Sequence, residues 1–281
     1  MAKVLVDGMA CALERAGASF HEPFVGGGAG ATEVAKRYKR MSIHVRDLEP
    51  GVAEVWRRVA SGRVEPIVDR LREYRPTVAS FRRAMDARGG TAVERAARGI
   101  FLSKTSFSGL GVSPIGGWRQ TGDWKIDCKW NPDGIAEALR SSAMLFRGRL
   151  VAARDSGVEY IGGLSSTNVA YVDPPYVTAG SSCYAEAMSD VDHARLAEDL
   201  RGAACDWTLS YDECPLVRGL YRWARVEEVD HRYSMAPKKK TWRASKELII
   251  TARRRASPRP ASGRCARYST RKVGTWTSRG E

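Results

Sequence analysis

Asp173-Pro174-Pro175-Tyr176 directly follows the run Val169-Ala170-Tyr171-Val172, and no other stretch of the chain restricts its fold as much. A short, nearly continuous apolar run rich in β-branched residues reads as a strand buried on both faces, as in a parallel sheet. Proline lacks an N–H and fixes its own φ, so two in succession end that strand and stiffen the turn beyond it. An acidic side chain, a peptide carbonyl and an aromatic ring are thereby expected at the carboxyl edge of the sheet, where open α/β folds bind ligands.

The rest of the chain supplies the other strands. Residues 3–16 have helical apolar spacing, 19–24 are short and extended, and Gly26, Gly27, Gly28 and Gly30 follow at once. Residues 31–40 then resume a helix, and 42–46 form a strand that stops at Asp47. Further strand-like runs occupy 149–153, 207–210, 224–229 and 247–251, with a helix over 191–201. The expected fold class is α/β with a Rossmann-like sheet. Its two halves are separated by arginine-rich helices at 52–60, 64–74, 77–86 and 91–98, broken at Gly62, Pro76 and Gly89-Gly90. Residues 103–134 are rich in Gly, Ser, Trp and Pro and read as loops or a hairpin, after which 132–147 is helical. The predicted division is 1–52 and 149–252 for the two parts of one sheet domain, and 53–148 for an inserted helical domain. Residues 253–281 form a basic tail with too few periodic apolar residues to pack.

Charge follows the same division. The formal net charge is +14, with 35 arginines among 46 basic residues. Residues 57–98 carry net +6 and 251–281 net +8, so the remainder is neutral. A polyanionic partner is the first expectation from this clustering, since arginine suits bidentate contact to phosphate or guanine, with a biased coding composition as the alternative source of the arginines. Mean hydropathy is −0.38, and no uncharged apolar run reaches a membrane-spanning length. The N-terminus lacks the combined features of a secretory signal, so a cytoplasmic location is expected. Six scattered cysteines without a Cys-x-x-Cys pair predict neither a metal site nor a disulfide framework.

Asp173, Pro174, Pro175 and Tyr176 suit the gripping of a planar amine. The exocyclic nitrogen of adenine is a poor nucleophile because its lone pair is delocalised into the ring. A carboxylate at Asp173 and the Pro174 carbonyl can accept its hydrogens and return electron density to nitrogen, while Tyr176 stacks on the base. An aspartate-capped turn beside a core tyrosine is the plainer alternative. Glu22-Pro23-Phe24-Val25-Gly26-Gly27-Gly28 fits neither a dinucleotide fingerprint nor a lysine-bearing phosphate loop. The helix start beyond the glycines is expected to offer free N–H groups. An acid just before them favours a cationic or hydroxyl-bearing ligand over a phosphate, a description that S-adenosylmethionine meets. Asp47 is placed to bind two ribose hydroxyls, or else to cap the helix beginning near Val52. Asp155, after the strand 149–153, is a candidate acceptor for the cofactor's adenine amine. His193 reads as a helix residue, and Trp118, Trp124 and Trp130 divide between core and nucleic-acid contact.

Taken in order, Glu22 to Ala29, Asp47, a long insertion and Val172 to Tyr176 resemble the Dam-like family of DNA adenine methyltransferases. The segments Phe101 to Leu110, Asp192 to Ala197 and Lys246 to Thr251 are similar to further family motifs, and the likeness covers about residues 3–251. The resemblance implies an S-adenosylmethionine-dependent methyltransferase sheet with an inserted DNA-recognition domain. It implies Phe24, Gly26 and Gly28 around the methionine part of the cofactor, Asp47 on its ribose, and Asp173 to Tyr176 around the target base. The implied activity is methylation of the exocyclic amine of adenine in double-stranded DNA by a monomer that needs no metal; a companion restriction endonuclease is left open as a second partner. Family members carry an aromatic-rich Gly-Gly-Lys segment just upstream of the first helix, whereas this sequence starts Met1-Ala2-Lys3. The alternatives are therefore a DNA-binding remnant lacking that cofactor segment, and an amine methylase acting on adenine or guanine in RNA. Gly111-Val112-Ser113-Pro114 also departs from the pattern of members that read GATC, so that specificity is not implied.

Overall fold

The computed structural model describes residues 2–109, 111–177, 188–231 and 245–252. Leu110, the lysines 238–240 and the tail 253–281 lie outside the described residues. The fold is α/β, built on a mostly parallel, mixed sheet of seven strands, and is compatible with a Rossmann-like arrangement. In chain order the strands are β1 (Ser19–Glu22), β2 (Ser42–Asp47), β3 (Leu150–Arg154), β4 (Asn168–Val172), β5 (Asp206–Asp212), β6 (Arg225–His231) and β7 (Ser245–Thr251). Across the sheet they run β3-β2-β1-β4-β5-β7-β6. The first five pair in parallel, and β7 lies antiparallel between β5 and β6. Strand addition reverses direction between β1 and β4, which makes their carboxyl ends a topological switch point.

Local chemistry explains the elements. Four of the five residues of β4 are buried, as a central strand covered on both faces requires. Helix α1 (Ala2–Leu13) precedes β1, and α2 (Ala29–Arg37) follows the glycine turn, with Gly28 at φ +65° as its N-cap. Helix α3 (Pro50–Ser61) opens with a proline in its first turn and ends on Gly62 at φ +70°. It is followed by α4 (Glu65–Glu73), α5 (Val78–Asp86), α6 (Ala92–Thr105) and α7 (Pro132–Phe146). A reciprocal capping box between Thr91 and Glu94 starts α6. After β3 come the short α8 (Gly157–Ile161), then α9 (Asp190–Gly202) and α10 (Pro215–Leu220).

One apolar core lies under β1 and β2 and is filled by Leu5, Val6, Phe20, Val34, Ile43 and Phe146. It runs without a break through Trp56 and Val59 of α3 to Ile67, Val68 and Leu71 of α4. The boundary expected between residues 52 and 53 therefore falls inside one helix, which packs on the sheet and on α6 alike. Gly51 and Gly99 make that crossing close, because a Cβ on Gly51 would stand 3.1 Å from the Gly99 Cα. A second core joins α8, α9 and α10 to β4, β5 and β7.

Residues 115–126 are tied together by Gln120, whose side-chain amide donates to the carbonyls of Ile115 and Gly117 and accepts from the Ile126 N–H. Trp118 and Trp124 are exposed in this loop, whereas Trp130 packs on Tyr74 and Phe101. Cys128, Cys205 and Cys214 are free thiols, but Cys11 is disulfide-bonded, a cross-link that the scattered cysteine spacing did not suggest. Among the described residues no cluster of three or more His, Cys, Asp or Glu could hold a metal, and no helix is long and apolar enough to cross a membrane.

Candidate functional site

A cleft of about 1530 Å³ opens above the carboxyl ends of β1 and β4. Glu22 is the last residue of β1 and Asp173 follows β4 immediately, so the switch point brings the two motifs together. Glu22, Phe24, Gly26, Gly28, Asp47, Asp173, Pro175 and Tyr176 all line this one cavity. Pro174 is buried and Asp155 is exposed, and neither is among the lining residues. Asp155 accepts from the Ser156 N–H at 2.9 Å and donates its own N–H to the Asp47 carbonyl at 3.2 Å. Ser156 and Gly157 form the cleft wall at that point.

Glu22 alters the meaning of the glycine turn. Its carboxylate accepts from the N–H of Ala31 at 2.7 Å and of Gly30 at 3.3 Å. The N–H groups expected to be free at the start of α2 are thus occupied by a residue of the chain itself, and a phosphate finds fewer donors there. Burial pushes the Glu22 carboxyl up to about 8, with the negative charges of Asp173 and Asp47 adding to the effect and the two N–H donors opposing it. The folded state then holds a proton that the unfolded chain, at 4.5, releases. Its contribution to stability is complete below pH 4.5 and is lost as the pH rises to about 8. Glu22→Gln removes the titration, so the stability of the wild type relative to this variant is expected to fall across that window by up to about 1.4 kcal/mol per pH unit. Urea midpoints measured at intervals from pH 4 to pH 9 check this, and parallel profiles for the two proteins would refute it.

His21, the neighbour of Glu22, points to the other face of the sheet. It stacks on His44 with ring centroids 4.6 Å apart and hydrogen-bonds the Tyr160 hydroxyl at 2.7 Å. Burial and the nearby His44 and Arg46 push its imidazole down to about 3, which keeps it neutral.

Asp47 binds chain rather than capping a helix. One carboxylate oxygen accepts from the Gly26 N–H and the other from the Glu49 N–H, each at 2.9 Å. Glu49 is the N-cap of α3, accepting from the Val52 N–H. Burial raises the Asp47 carboxyl above the usual range, and those N–H donors resist the rise. The turn it ties down is also held from above, since the Trp56 indole N–H donates to the Gly26 carbonyl at 3.0 Å. Phe24 packs against the start of α8, where a Cβ on Gly157 would stand 2.7 Å from its ring.

Asp173 is held from β5. Ser210 Oγ donates to its Oδ1 at 2.7 Å and lies 2.9 Å from the Tyr171 hydroxyl. Burial raises the Asp173 carboxyl, with the Glu247 charge adding to the rise and the Ser210 hydrogen bond working against it. Tyr176 is steadied by donating its hydroxyl to Glu247 at 2.8 Å. Ser210, Glu247 and Trp56 were not singled out in the sequence. His193 is buried and hydrogen-bonded to the Tyr211 hydroxyl.

The cleft is lined by charges of both signs, drawn from different parts of the chain. Six acids line it, Glu22, Asp47, Glu49, Asp173, Asp192 and Glu247, and all come from the sheet edge, the start of α3 or the start of α9. Its basic lining residues, Arg88, Lys104 and Lys129, all lie between β2 and β3 in the helical segment. No family model and no curated protein sequence matches the chain. The arrangement therefore has to be read from its own chemistry. The ionised acids attract cations and hydroxyl or amine hydrogens, and the basic lining residues attract anions.

Proposed function

We propose that the protein methylates the exocyclic amine of adenine in double-stranded DNA, with S-adenosylmethionine as the methyl donor. The observation that carries this reading is the joining, in one cleft, of Asp173 and the glycine turn, with acids from the sheet edge and bases from the helical segment both lining it. S-adenosylmethionine supplies an electrophilic methyl group on a sulfonium cation. The donor set fits such a group. Glu22 takes the N–H groups that would favour a phosphate, and carboxylates rather than lysines or arginines surround the turn. Phe24, Gly26 and Gly28 would hold the methionine portion and Asp47 the ribose, with Ser156 and Gly157 along the wall beside Asp155.

Asp173 accepts a hydrogen of the amine. An ionised carboxylate has about four lone-pair sites, so the bond from Ser210 leaves capacity for this. Drawing on that hydrogen returns lone-pair density to nitrogen, and the same carboxyl, raised by burial, is suited to receive the proton that nitrogen sheds. Tyr176 offers its ring face to the base. The adenine must leave the duplex to reach this depth, at a cost of a few kcal/mol. The arginine-rich helices between β2 and β3 would act as the recognition unit, their charge drawing in the phosphate backbone.

Incubation with tritiated S-adenosylmethionine and unmethylated genomic DNA, followed by base analysis, tests the reading. Label on N6-methyladenine is expected. Label on cytosine, on RNA or on nothing would count against it. Ser210→Ala is expected to lower the rate roughly ten- to a hundredfold, as loss of an orienting partner does elsewhere. The lost hydrogen bond favoured the carboxylate, so the acid limb of the rate–pH profile should move upward. A rate unchanged in height and in pH dependence would remove Ser210 from the site.

A further inference from the structure

Beside the main cleft, α4, α5 and the start of α6 line a second, open cavity of about 490 Å³. Five arginines line it, Arg70, Arg75, Arg83, Arg88 and Arg98, against two acids, Glu73 and Glu94. Both acids are already engaged. Arg70 donates to each, and Glu94 also closes the capping box at Thr91. The other four arginines form no ion pair among the described residues. Each is instead anchored to a neutral oxygen: Arg75 to the Arg72 carbonyl at 3.2 Å, Arg83 to Ser80 Oγ at 3.0 Å, Arg88 to the Met85 carbonyl at 2.8 Å and Arg98 to the Gly89 carbonyl at 3.0 Å. A guanidinium has five N–H donors, so these anchors orient the group and leave most of its capacity unspent. Five guanidinium groups around two carboxylates, both of them already bonded to Arg70, leave an excess of positive charge that favours an anion in the cavity.

We propose that this cavity is a phosphodiester clamp, a binding site for the sugar–phosphate backbone of DNA remote from the reacting base. The planar fork of arginine matches two oxygens of one phosphate, a geometry that lysine does not offer. The volume exceeds that of a single phosphate several times over and suits a length of backbone. Arg88 lines both this cavity and the cleft that holds Asp173, so the two are adjacent and a strand held in one is directed towards the other. The inference rests on DNA being the partner and is independent of methyl transfer.

The test is fluorescence anisotropy of a labelled duplex, titrated between about 50 and 200 mM salt. Arg83→Gln/Arg98→Gln is compared with Arg40→Gln/Arg222→Gln, which removes the same charge outside both cavities and outside the helical segment. Arg75→Gln/Arg83→Gln repeats the measurement without touching the Gly89 turn that Arg98 holds, and thermal unfolding confirms that each variant is folded. The clamp variants are expected to bind more weakly, with the slope of log K against log salt shallower by about 1 to 2 for two lost phosphate contacts. Unchanged binding by the clamp variants, or an equal loss in the control pair, overturns the clamp and leaves the reading of DNA as partner intact. Absence of duplex binding by the wild type at the lowest salt overturns both. A parallel titration with poly-L-glutamate identifies an acidic protein partner: loss there with normal duplex binding also overturns the proposal.

Discussion

Asp173→Ala is expected to reduce methyl transfer by a factor of about a hundred to a thousand or more, the range seen when a pre-aimed polar group is removed from a reaction site. Duplex binding should be unaffected, because the basic residues that would meet the phosphates come from the helical segment between β2 and β3 and not from the turn that carries Asp173. Asp173→Asn is the sharper variant. It preserves shape and can still accept from Ser210, yet it presents an amide that cannot serve as the proton acceptor. Burial and the Glu247 charge make the Asp173 carboxylate uncomfortable in the folded state. The asparagine variant should therefore unfold at an equal or higher urea concentration than the wild type while being nearly inactive, a trade between stability and function. Activity retained by either variant would take Asp173 out of the mechanism; inactivity accompanied by lost stability would point to a structural role.

The second large effect is expected at Gly28→Ala. Gly28 sits at φ +65°, and a Cβ placed there would lie 2.1 Å from the Trp56 ring. The left-handed conformation costs an L-residue about 1–2 kcal/mol. Overpacking in a well-filled region costs about 1–3 kcal/mol more. The ring cannot retreat freely, because its N–H is bonded to the Gly26 carbonyl and its edge meets Phe146 at 5.5 Å. A loss of about 2–5 kcal/mol in unfolding free energy is expected, together with weakened cofactor binding by the displaced turn. A double-mutant cycle with Trp56→Ala separates the causes. If the clash dominates, the double variant loses less than the sum of the two single losses. Strict additivity would assign the effect to backbone strain alone.

Much of the sheet was legible because its strands are the β-branched and aromatic runs of the chain. Parallel pairing buries both faces of the central strands, so Val169 to Val172 carries little polar interruption and its end is marked by two prolines. The long helices were legible from their apolar spacing and their caps, among them Gly62 and the Thr91–Glu94 box. Helices α8 and α10, of five and six residues, are too short for a 3.6-residue period to register. The boundary expected near residue 52 follows a change in charge composition that falls inside α3, whose core continues past it.

The candidate site stands out in the sequence where a single segment carries its own chemistry, as at Glu22 and at Asp173 to Tyr176, segments that the structure brings to one cleft. It was not legible where distant strands contribute one atom each. Ser210 reaches Asp173 from 37 residues away, and Glu247 reaches Tyr176 from 71. A serine in a buried strand carries no local mark of that task. Asp155 follows its strand as a ligand-binding acid should, and it stands exposed beside the cleft wall, bonded to its neighbour's N–H.

The pairing of β1 with β4 has a consequence for biosynthesis. Ser19 lies against Asn168, and the whole helical segment is translated between them. Until that later strand leaves the ribosome, β1 keeps an unpaired flank of amide and carbonyl groups, the kind of edge that recruits stray strands. The helices emerging meanwhile rest on short-range contacts and can settle early. Nascent chains stopped short of Asn168 should consequently be the form most prone to clump, and the form most dependent on chaperones.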